Sequence, residues 1–358
     1  VAVDISNPRS FRNLIINGSM ICSQRGTSGS GAYGYYSVDR WYNFNNGLNE
    51  NPTIAQADVA SSTSPYNLGF RKSLKVTNGN QTGGAGTSDQ TFISTTLEAQ
   101  EIANCGWNYT STSSYITLSF WVKASVAQTY YGYLKAPDGS NYIYPYSFAL
   151  SANTWTKITK SIPGNANLQF DNNANAGLEV GIYLFLGTDL TASSASSDTW
   201  AAYSGGTTRT LDHTSTWYTT NDATFEMTGV QLEVGSYATD FEHRSYGEEL
   251  ARCQRYYQNS YAEGNVPGSS NSSDNAINLL SWADGNVQGF TFMGRMRASP
   301  DVILRSANAT TVARLDSSGT DRVATAQHIN QHHVKYIAVT SGAGNSWASV
   351  CYELNAEL

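Results

Sequence analysis

Five carboxylates, Glu98, Glu101, Glu179, Glu226 and Glu233, are the first residues to weigh for chemistry, since paired acids are what glycoside hydrolysis requires. Linear spacing does not fix the distance between any two of them, and capping or surface pairing is the ordinary use of such residues. His328 and His332 stand four apart beside His333, a spacing that could ligate a metal in a helix or across a threefold axis. No carboxylate accompanies them, so a solvated or interfacial role is the expectation and no metal is assigned. The sequence has no GxSxG, no HExxH and no glycine-rich phosphate loop. Aromatic side chains are the abundant resource: 23 Tyr, 12 Phe and 8 Trp. A pyranose packs its C–H face on such a ring while Asn, Asp and Gln take its hydroxyls. The chemistry to look for is therefore binding rather than catalysis.

The rings must be positioned by strands, and side-chain parity says how. In Tyr115 to Lys123, Ile116, Leu118, Phe120 and Val122 share one side while Trp121 lies on the other. The same split sets Ile182, Leu184 and Leu186 against Tyr183 and Phe185, puts Tyr142, Tyr144, Tyr146 and Phe148 on one side, and pairs Tyr131 with Tyr133. One aliphatic face per sheet predicts a sandwich, and short strands separated by turns predict a jelly roll. The aromatic second face gives the candidate glycan-binding set: Trp121, Tyr131, Tyr133, Tyr142, Tyr144 and Tyr183. The Ser/Thr/Gly-rich run Thr188 to Asp222 adds Trp200 and Trp217 as a recognition loop, a composition that equally fits a loop anchored over the sandwich edge by its Trp rings. Burial under loops or against another copy is the competing use of all these rings.

Further strands are expected at Asn13 to Asn17, Phe70 to Val76 and Gln90 to Leu97, with a helical turn at Ala99 to Cys105. A closing strand, with a bulge near Gly229, runs through Phe225, Met227, Val230, Leu232 and Val234. Ser245 and Glu248 then form a capping-box pair, and Leu250, Cys253 and Tyr257 recur at helical spacing, predicting a helix over Tyr246 to Gln258. Beyond a Ser/Asn/Gly-rich linker, six strands are expected: Ile277 to Ala283, Gly289 to Met296, Asp301 to Ser306, Thr310 to Leu315, His333 to Thr340 and Trp347 to Leu354. The fold class is thus all-β, a jelly-roll β-sandwich followed by a short helix and a smaller C-terminal β-sandwich. The divisions are 1–12 as an N-terminal arm, 13–243, 244–275 for helix and linker, and 276–358.

The segment GVQLEVGSYATDFEHRSYGEELARCQRYY resembles the end of the carbohydrate-binding-module-like domain found in bacteriophage tail-fibre and receptor-binding proteins. FRNLIINGSM, YSVDRWYNF, LSFWVKAS and WTKITKSIPG extend the likeness upstream, and FMGRMRASPDV and YELNAEL carry it weakly to the end. The resemblance implies a non-enzymatic virion protein, assembled in the host cytoplasm and carried on the tail. Its partners would be host-surface polysaccharide, other virion proteins through the N-terminal arm, and two further copies in a homotrimer. A head fibre or capsid decoration protein is the alternative virion role, and a glycan hydrolase a more distant one. Jelly-roll sugar-binding modules often hold a structural calcium near their first and last strands; here Ser19 and Met20 stand where an acid would be expected and Thr228 lies in the last strand, so no cofactor is expected.

Composition agrees with a β-rich binding protein. Charged residues are 14% of 358, and the net charge of -7 argues against neutralising a phosphate backbone, so nucleic acid is not an expected partner. No apolar run reaches the ~18 residues of a membrane span, and no signal-peptide layout opens the chain. Cys22, Cys105, Cys253 and Cys351 are far apart with no CxxC spacing, which predicts free thiols.

Overall fold

A computed structural model describes residues 12–205, 209–262, 264–268, 275–282, 286–306, 314–317, 320–339 and 347–358. The expected N-terminal arm lies outside the described residues apart from Arg12, as do residues 269–274 of the expected linker. In chain order the first part contains β1 (Ser28–Ser30), β2 (Tyr33–Gly34), β3 (Tyr42–Asn46), β4 (Thr53–Asp58), the turn α1 (Ser64–Asn67), β5 (Lys72–Thr77), β6 (Gln90–Glu98) and α2 (Ala99–Asn104). It continues through β7 (Tyr115–Ala124), β8 (Gln128–Ala136), β9 (Tyr142–Leu150), β10 (Thr156–Pro163), β11 (Ala176–Leu186), β12 (Ala201–Ala202) and β13 (Thr224–Val234). These strands form a jelly-roll sandwich: a six-stranded sheet in the order β1-β4-β5-β13-β7-β10 faces a seven-stranded sheet in the order β12-β9-β8-β11-β6-β3-β2.

Strand parity explains the core between them. Ile116, Leu118, Phe120 and Val122 of β7 point inward, and Ile182 and Leu184 of β11 meet them. In β13 the register slips between Thr228 and Gln231, so that Phe225 and Met227 before the slip and Val230 and Leu232 after it all reach the same core. Gly229 makes this possible, since its φ of 63° is one that a side chain resists. A second slip in β11 between Tyr183 and Phe185 turns Leu186 to the outer face, against the simple alternation expected from sequence.

Asn13 to Asn17 is not a strand. The segment crosses β13, with Leu14 N–H donating to Leu232 O and Val230 N–H to Gly18 O, both at 2.9 Å. Side chains replace a regular ladder: Asn13 Oδ1 accepts from Ile15 and Leu232 N–H, and Asn17, at φ 59°, bonds Cys22 and Asp39 through its amide. Local Asn geometry thus overrides an apolar run that reads as extended.

Helix α3 (Tyr246–Gln254) starts where its capping box predicts: Glu248 N–H donates to Ser245 Oγ at 3.3 Å and Ser245 N–H to Glu248 Oε2 at 3.1 Å. It ends four residues earlier than its periodicity suggests, because Tyr257–Asn259 is β14, paired to the last strand, and Tyr256 is drawn into the seam below. The following strands are β15 (Ile277–Leu280), β16 (Asn286–Thr291), β17 (Asp301–Ser306), β18 (Arg314–Ser317), β19 (Thr320–Ile329), β20 (His333–Val339) and β21 (Trp347–Asn355). β21 collects β14, β15, β17 and β18 as neighbours, and Val350, Tyr352 and Leu354 from it enter a second core with Val287, Phe290 and Ile337. β19 was not expected from the sequence; it places His328 in a strand rather than a helix, with His332 and His333 at the following hairpin.

Between the two cores lies a seam of buried charge. Glu98, fully buried at the end of β6, accepts two bonds of 2.7 Å from Arg255 and one of 2.7 Å from Tyr256 Oη. Burial pushes this carboxyl up, but the Arg255 and Tyr256 hydrogen bonds overcome that and hold it below the usual carboxylate range. Arg40, 2% exposed, pairs with Glu357 and lies 3.4 Å from the Tyr256 ring centre. Arg297 donates to Ala174 O of the first part at 2.7 Å and to Ala356 O and Glu357 O of the second at 2.8 and 3.0 Å.

Two outcomes follow from the seam. Glu98→Ala strands Arg255 and Tyr256 beside an empty buried site and should cost about 3 kcal/mol in chemical unfolding, whereas Ser245→Ala, losing one cap bond, should cost about 1 kcal/mol; equal costs would show that the seam is not what holds the helix. The second concerns Asp39, which burial pushes up from 3.8 to about 6, although Arg25 at 3.5 Å and Gln24 oppose the shift. The folded protein keeps this proton to higher pH than the unfolded chain, so the stabilisation is full below about pH 4 and is lost as pH rises through about 6. Relative to wild type, Asp39→Asn should therefore gain stability between pH 4 and pH 7, by at most about 3 kcal/mol. A pH-independent difference in unfolding free energy would exclude Asp39 as the titrating group.

Candidate functional site

The candidate site is the outer face of the seven-stranded sheet. Register aligns one ring per strand across five neighbouring strands: Tyr33 of β2 opposite Phe44 of β3, Phe44 opposite Phe92 of β6, Phe92 opposite Tyr183 of β11, and Tyr183 opposite Tyr131 of β8. Phe44 and Phe92 stack at 5.0 Å between centroids, and Phe92 meets Tyr183 edge-on at 5.8 Å. One step along β8, Tyr133 stacks on Tyr183 at 4.5 Å. Its cross-strand partner is Gly181, where a Cβ would meet the Tyr133 ring at 2.4 Å, so the absent side chain is what lets the ring lie flat on the sheet.

Burial grades this row from floor to rim. Tyr133 and Tyr183 are buried, forming a floor with Ile143 and Leu186, and Leu190 and Tyr203 from the 188–222 segment pack over them. Phe44, Phe92 and Tyr131 are half-buried, and Tyr33 at the sheet edge is 67% exposed. His213 stacks on Tyr131 at 4.3 Å, and burial pushes its imidazole below the usual histidine range. Polar groups sit among the rings. Tyr133 Oη donates to Glu179 Oε1 at 2.7 Å, Lys135 Nζ lies 4.0 Å from Glu179 and 4.5 Å from the centre of the Tyr203 ring, and Arg209 donates to Gln90. Burial and the Glu179 charge push the Tyr133 phenol well up, so it remains a hydrogen-bond donor at neutral pH. The rings of this row that reach the surface, Tyr33, Phe44, Phe92 and Tyr131, with carboxylate, ammonium and guanidinium groups beside them, can stack a planar or C–H-faced ligand and bond its hydroxyls.

The structure distributes the predicted rings over three environments. Tyr131, Tyr133 and Tyr183 share the face just described. Tyr144, Trp200 and Trp217 lie in the core between the sheets, and Tyr142 packs against its margin. The side of β9 that carries Tyr142, Tyr144, Tyr146 and Phe148 is its inward side, so these aromatics fill the sandwich instead of facing a ligand. Trp200 donates its indole N–H to Pro163 O at 2.7 Å and meets Tyr144 edge-on; Trp217 is fully buried, and the adjacent Tyr218 stacks on Phe185 at 4.1 Å and donates to Asp89. The 188–222 segment is thus anchored over the sandwich by its own rings, with residues 206–208 outside the described part. Trp121 stands on the opposite sheet altogether.

The carboxylates are separated as well. Glu98 belongs to the seam, Glu101 closes the capping box of α2, Glu226 pairs with Lys123 at 2.9 Å, and Glu233 accepts from Thr239, leaving Glu179 as the one of the five bonded to the aromatic face. At the positions where jelly-roll sugar-binding modules hold calcium, Met20 is wholly inside the core and Thr228 Oγ1 donates to Lys72 O at 2.7 Å, so neither offers an acidic ligand. Among the described residues, no three His, Cys, Asp or Glu side chains cluster as a metal site. The sequence alone does not single out Phe44, Phe92 or Lys135; Tyr203 belongs to the 188–222 segment read as a recognition loop. Alternation marks Phe44 and Phe92 as outward rings on their own strands, but nothing in the linear order says that β3, β6, β11 and β8 are neighbours.

No protein-family model matches this chain, and no curated protein matches it. Among solved structures, it is similar to a family 16 carbohydrate-binding module (13% identity, 62% of this chain and 99% of that one, TM-score 0.29). Likewise, it is similar to the N-terminal cellulose-binding domain of Cellulomonas fimi β-1,4-glucanase C (12% identity, 61% and 99%, TM-score 0.29). A family 11 carbohydrate-binding module from Clostridium thermocellum, solved with a β-1,3-1,4-mixed-linked tetrasaccharide, gives 11% identity, 61% and 99%, and a TM-score of 0.27. Scores this low assign neither a family nor a ligand to this chain.

Proposed function

We propose that this chain is a non-enzymatic bacteriophage virion protein, a tail-fibre or receptor-binding protein that attaches to host-surface polysaccharide through the outer face of the seven-stranded sheet. The observation that carries the reading is the row of rings Tyr33, Phe44, Phe92, Tyr183 and Tyr131, one on each of five adjacent strands, with Glu179 and Lys135 beside it. Such a row suits an extended glycan, because successive pyranoses need successive apolar platforms and hydrogen-bonding groups at their edges; Tyr33, Phe44, Phe92 and Tyr131 reach the surface for this, with the buried Tyr183 supporting them from below. The phage role is supported by the sequence segments from Phe11 to Tyr257 described above. Assembly as a homotrimer belongs to the same proposal: the second part exposes the cross-strand partners Leu280 and Trp347 together with Trp282, a set of large apolar side chains suited to contact between copies.

Phe92→Ala and Tyr131→Ala should each weaken adsorption to host cells or to purified surface polysaccharide by about 1 to 3 kcal/mol without unfolding the protein. Wild-type protein should leave that polysaccharide at its original length by size-exclusion chromatography. Unchanged adsorption in both variants would remove the aromatic face from the proposal, and shortened glycan would replace adhesion by hydrolysis. Sedimentation of the purified chain should give a trimer at micromolar concentration. A monomer under these conditions, or labelling of the capsid rather than the tail in intact particles, would redirect the reading to a decoration protein.

A further inference from the structure

Trp121, like the candidate tyrosines, stands on the side of its strand away from the aliphatic residues, yet it lies on the other sheet of the sandwich and has a cavity of its own. This cavity, about 270 Å³, opens on the outer face of the six-stranded sheet where the β13 bulge leaves a gap beside β7. Trp121, Phe241 and His243 supply aromatic walls. Phe241 and His243 are held by one another and by Phe70, all three ring pairs lying at 4.9 to 5.0 Å. His243 Nε2 is 2.9 Å from Leu68 O, and since a carbonyl only accepts, that nitrogen carries its proton and the ring is oriented. Gly229 forms part of the lining, and a Cβ there would strike the Phe70 ring at 2.6 Å, so the bulge glycine keeps the pocket and its wall in place.

The polar groups of this cavity point to one ligand chemistry. Lys157, the cross-strand partner of Trp121, is exposed at the cavity and makes no ion pair with any described residue. Asp240 and Thr239 line the cavity from the segment after β13, the Thr239 hydroxyl donating to Glu233 at 2.6 Å. The space is smaller than the ~300 to 1,000 Å³ typical of sites for drug-sized ligands, which suits one sugar ring rather than a chain. An acidic pyranose matches the lining: its C–H face on Trp121, its carboxylate on Lys157, and a hydroxyl on Asp240.

We propose that the Trp121 cavity is a second sugar site, selective for a single uronic-acid-type pyranose and separate from the aromatic row on the opposite sheet. The proposal rests on the preceding reading only in taking carbohydrate as the ligand class. Two sites on opposite faces let one chain hold two parts of a branched acidic polysaccharide, which raises avidity without any new contact.

The test uses methyl glucuronoside and methyl glucoside as probes, with binding followed by saturation-transfer NMR and by titration on the intact chain. Wild type should bind the glucuronoside at least tenfold more tightly than the glucoside. Trp121→Ala should abolish binding of both, and Lys157→Gln, at an exposed position that leaves the fold undisturbed, should erase the preference between them. Tyr131→Ala should leave both affinities unchanged while weakening polysaccharide adsorption, so the two sites fail independently. Absence of glucuronoside binding by wild type, an undiminished preference in Lys157→Gln, or loss of glucuronoside binding in Tyr131→Ala would each overturn the assignment.

Discussion

The buried carboxylate of Glu98 is the constraint on which the arrangement of this chain depends. A charge with no access to water is tolerable only where donors surround it, and Arg255 and Tyr256 are the donors that compensate for its burial. Both follow α3 directly, so satisfying Glu98 sets where the helix ends and where β14 begins. The same requirement acts on Arg40, which is buried and finds Glu357 beyond the last strand. Arg297 then ties carbonyls from both parts to one guanidinium. The jelly roll and the second β-domain are consequently joined by interdependent charges rather than by a bare linker.

With that seam occupied, the sandwich is left with two outer faces of different character. On the seven-stranded sheet, cross-strand register brings aromatic rings into a row, and a glycine opposite Tyr133 lets its ring lie flat. On the six-stranded sheet, the bulge in β13 keeps Phe225, Met227, Val230 and Leu232 in the core and leaves a cavity-sized gap above Trp121. An extended platform and a small pocket suit different parts of a ligand. One follows from regular cross-strand register and the other from a bulge, and no motif is shared between them.

The anchored 188–222 segment shows how the same residue types take different roles. Trp200, Trp217 and Tyr218 spend their apolar area on the sandwich, while Tyr203 and His213 from the same segment cover the aromatic row. A Ser/Gly-rich stretch containing Trp reads as a recognition loop because adaptable loops have that composition. It also reads as a clamp, because large rings offer the greatest burial per residue. Only the location of the rings separates these readings, and here it divides them within one segment.

Local patterns in the sequence determined the all-β class, the inward faces of β7 and most of β11, the bulge near Gly229 and the start of α3, since each depends on contacts within a few residues: alternation, a left-handed glycine, a capping box. They failed where distant partners decide. Asn13 to Asn17 gave up its strand to Asn side-chain bonds with Leu232 and Asp39, and α3 stopped at Gln254 because β21 and Glu98 claimed the residues beyond it. The candidate site was legible in part: Tyr131, Tyr133 and Tyr183 could be found by parity, but parity assigns sides only within one strand. Which side faces the core, which strands are neighbours and on which sheet Trp121 lies are settled by long-range pairing and by the burial of apolar area, and neither is encoded at the spacing of a single strand. Tyr144 and Tyr131 are therefore equivalent as sequence and opposite as structure, one inside the sandwich and the other on its outer face.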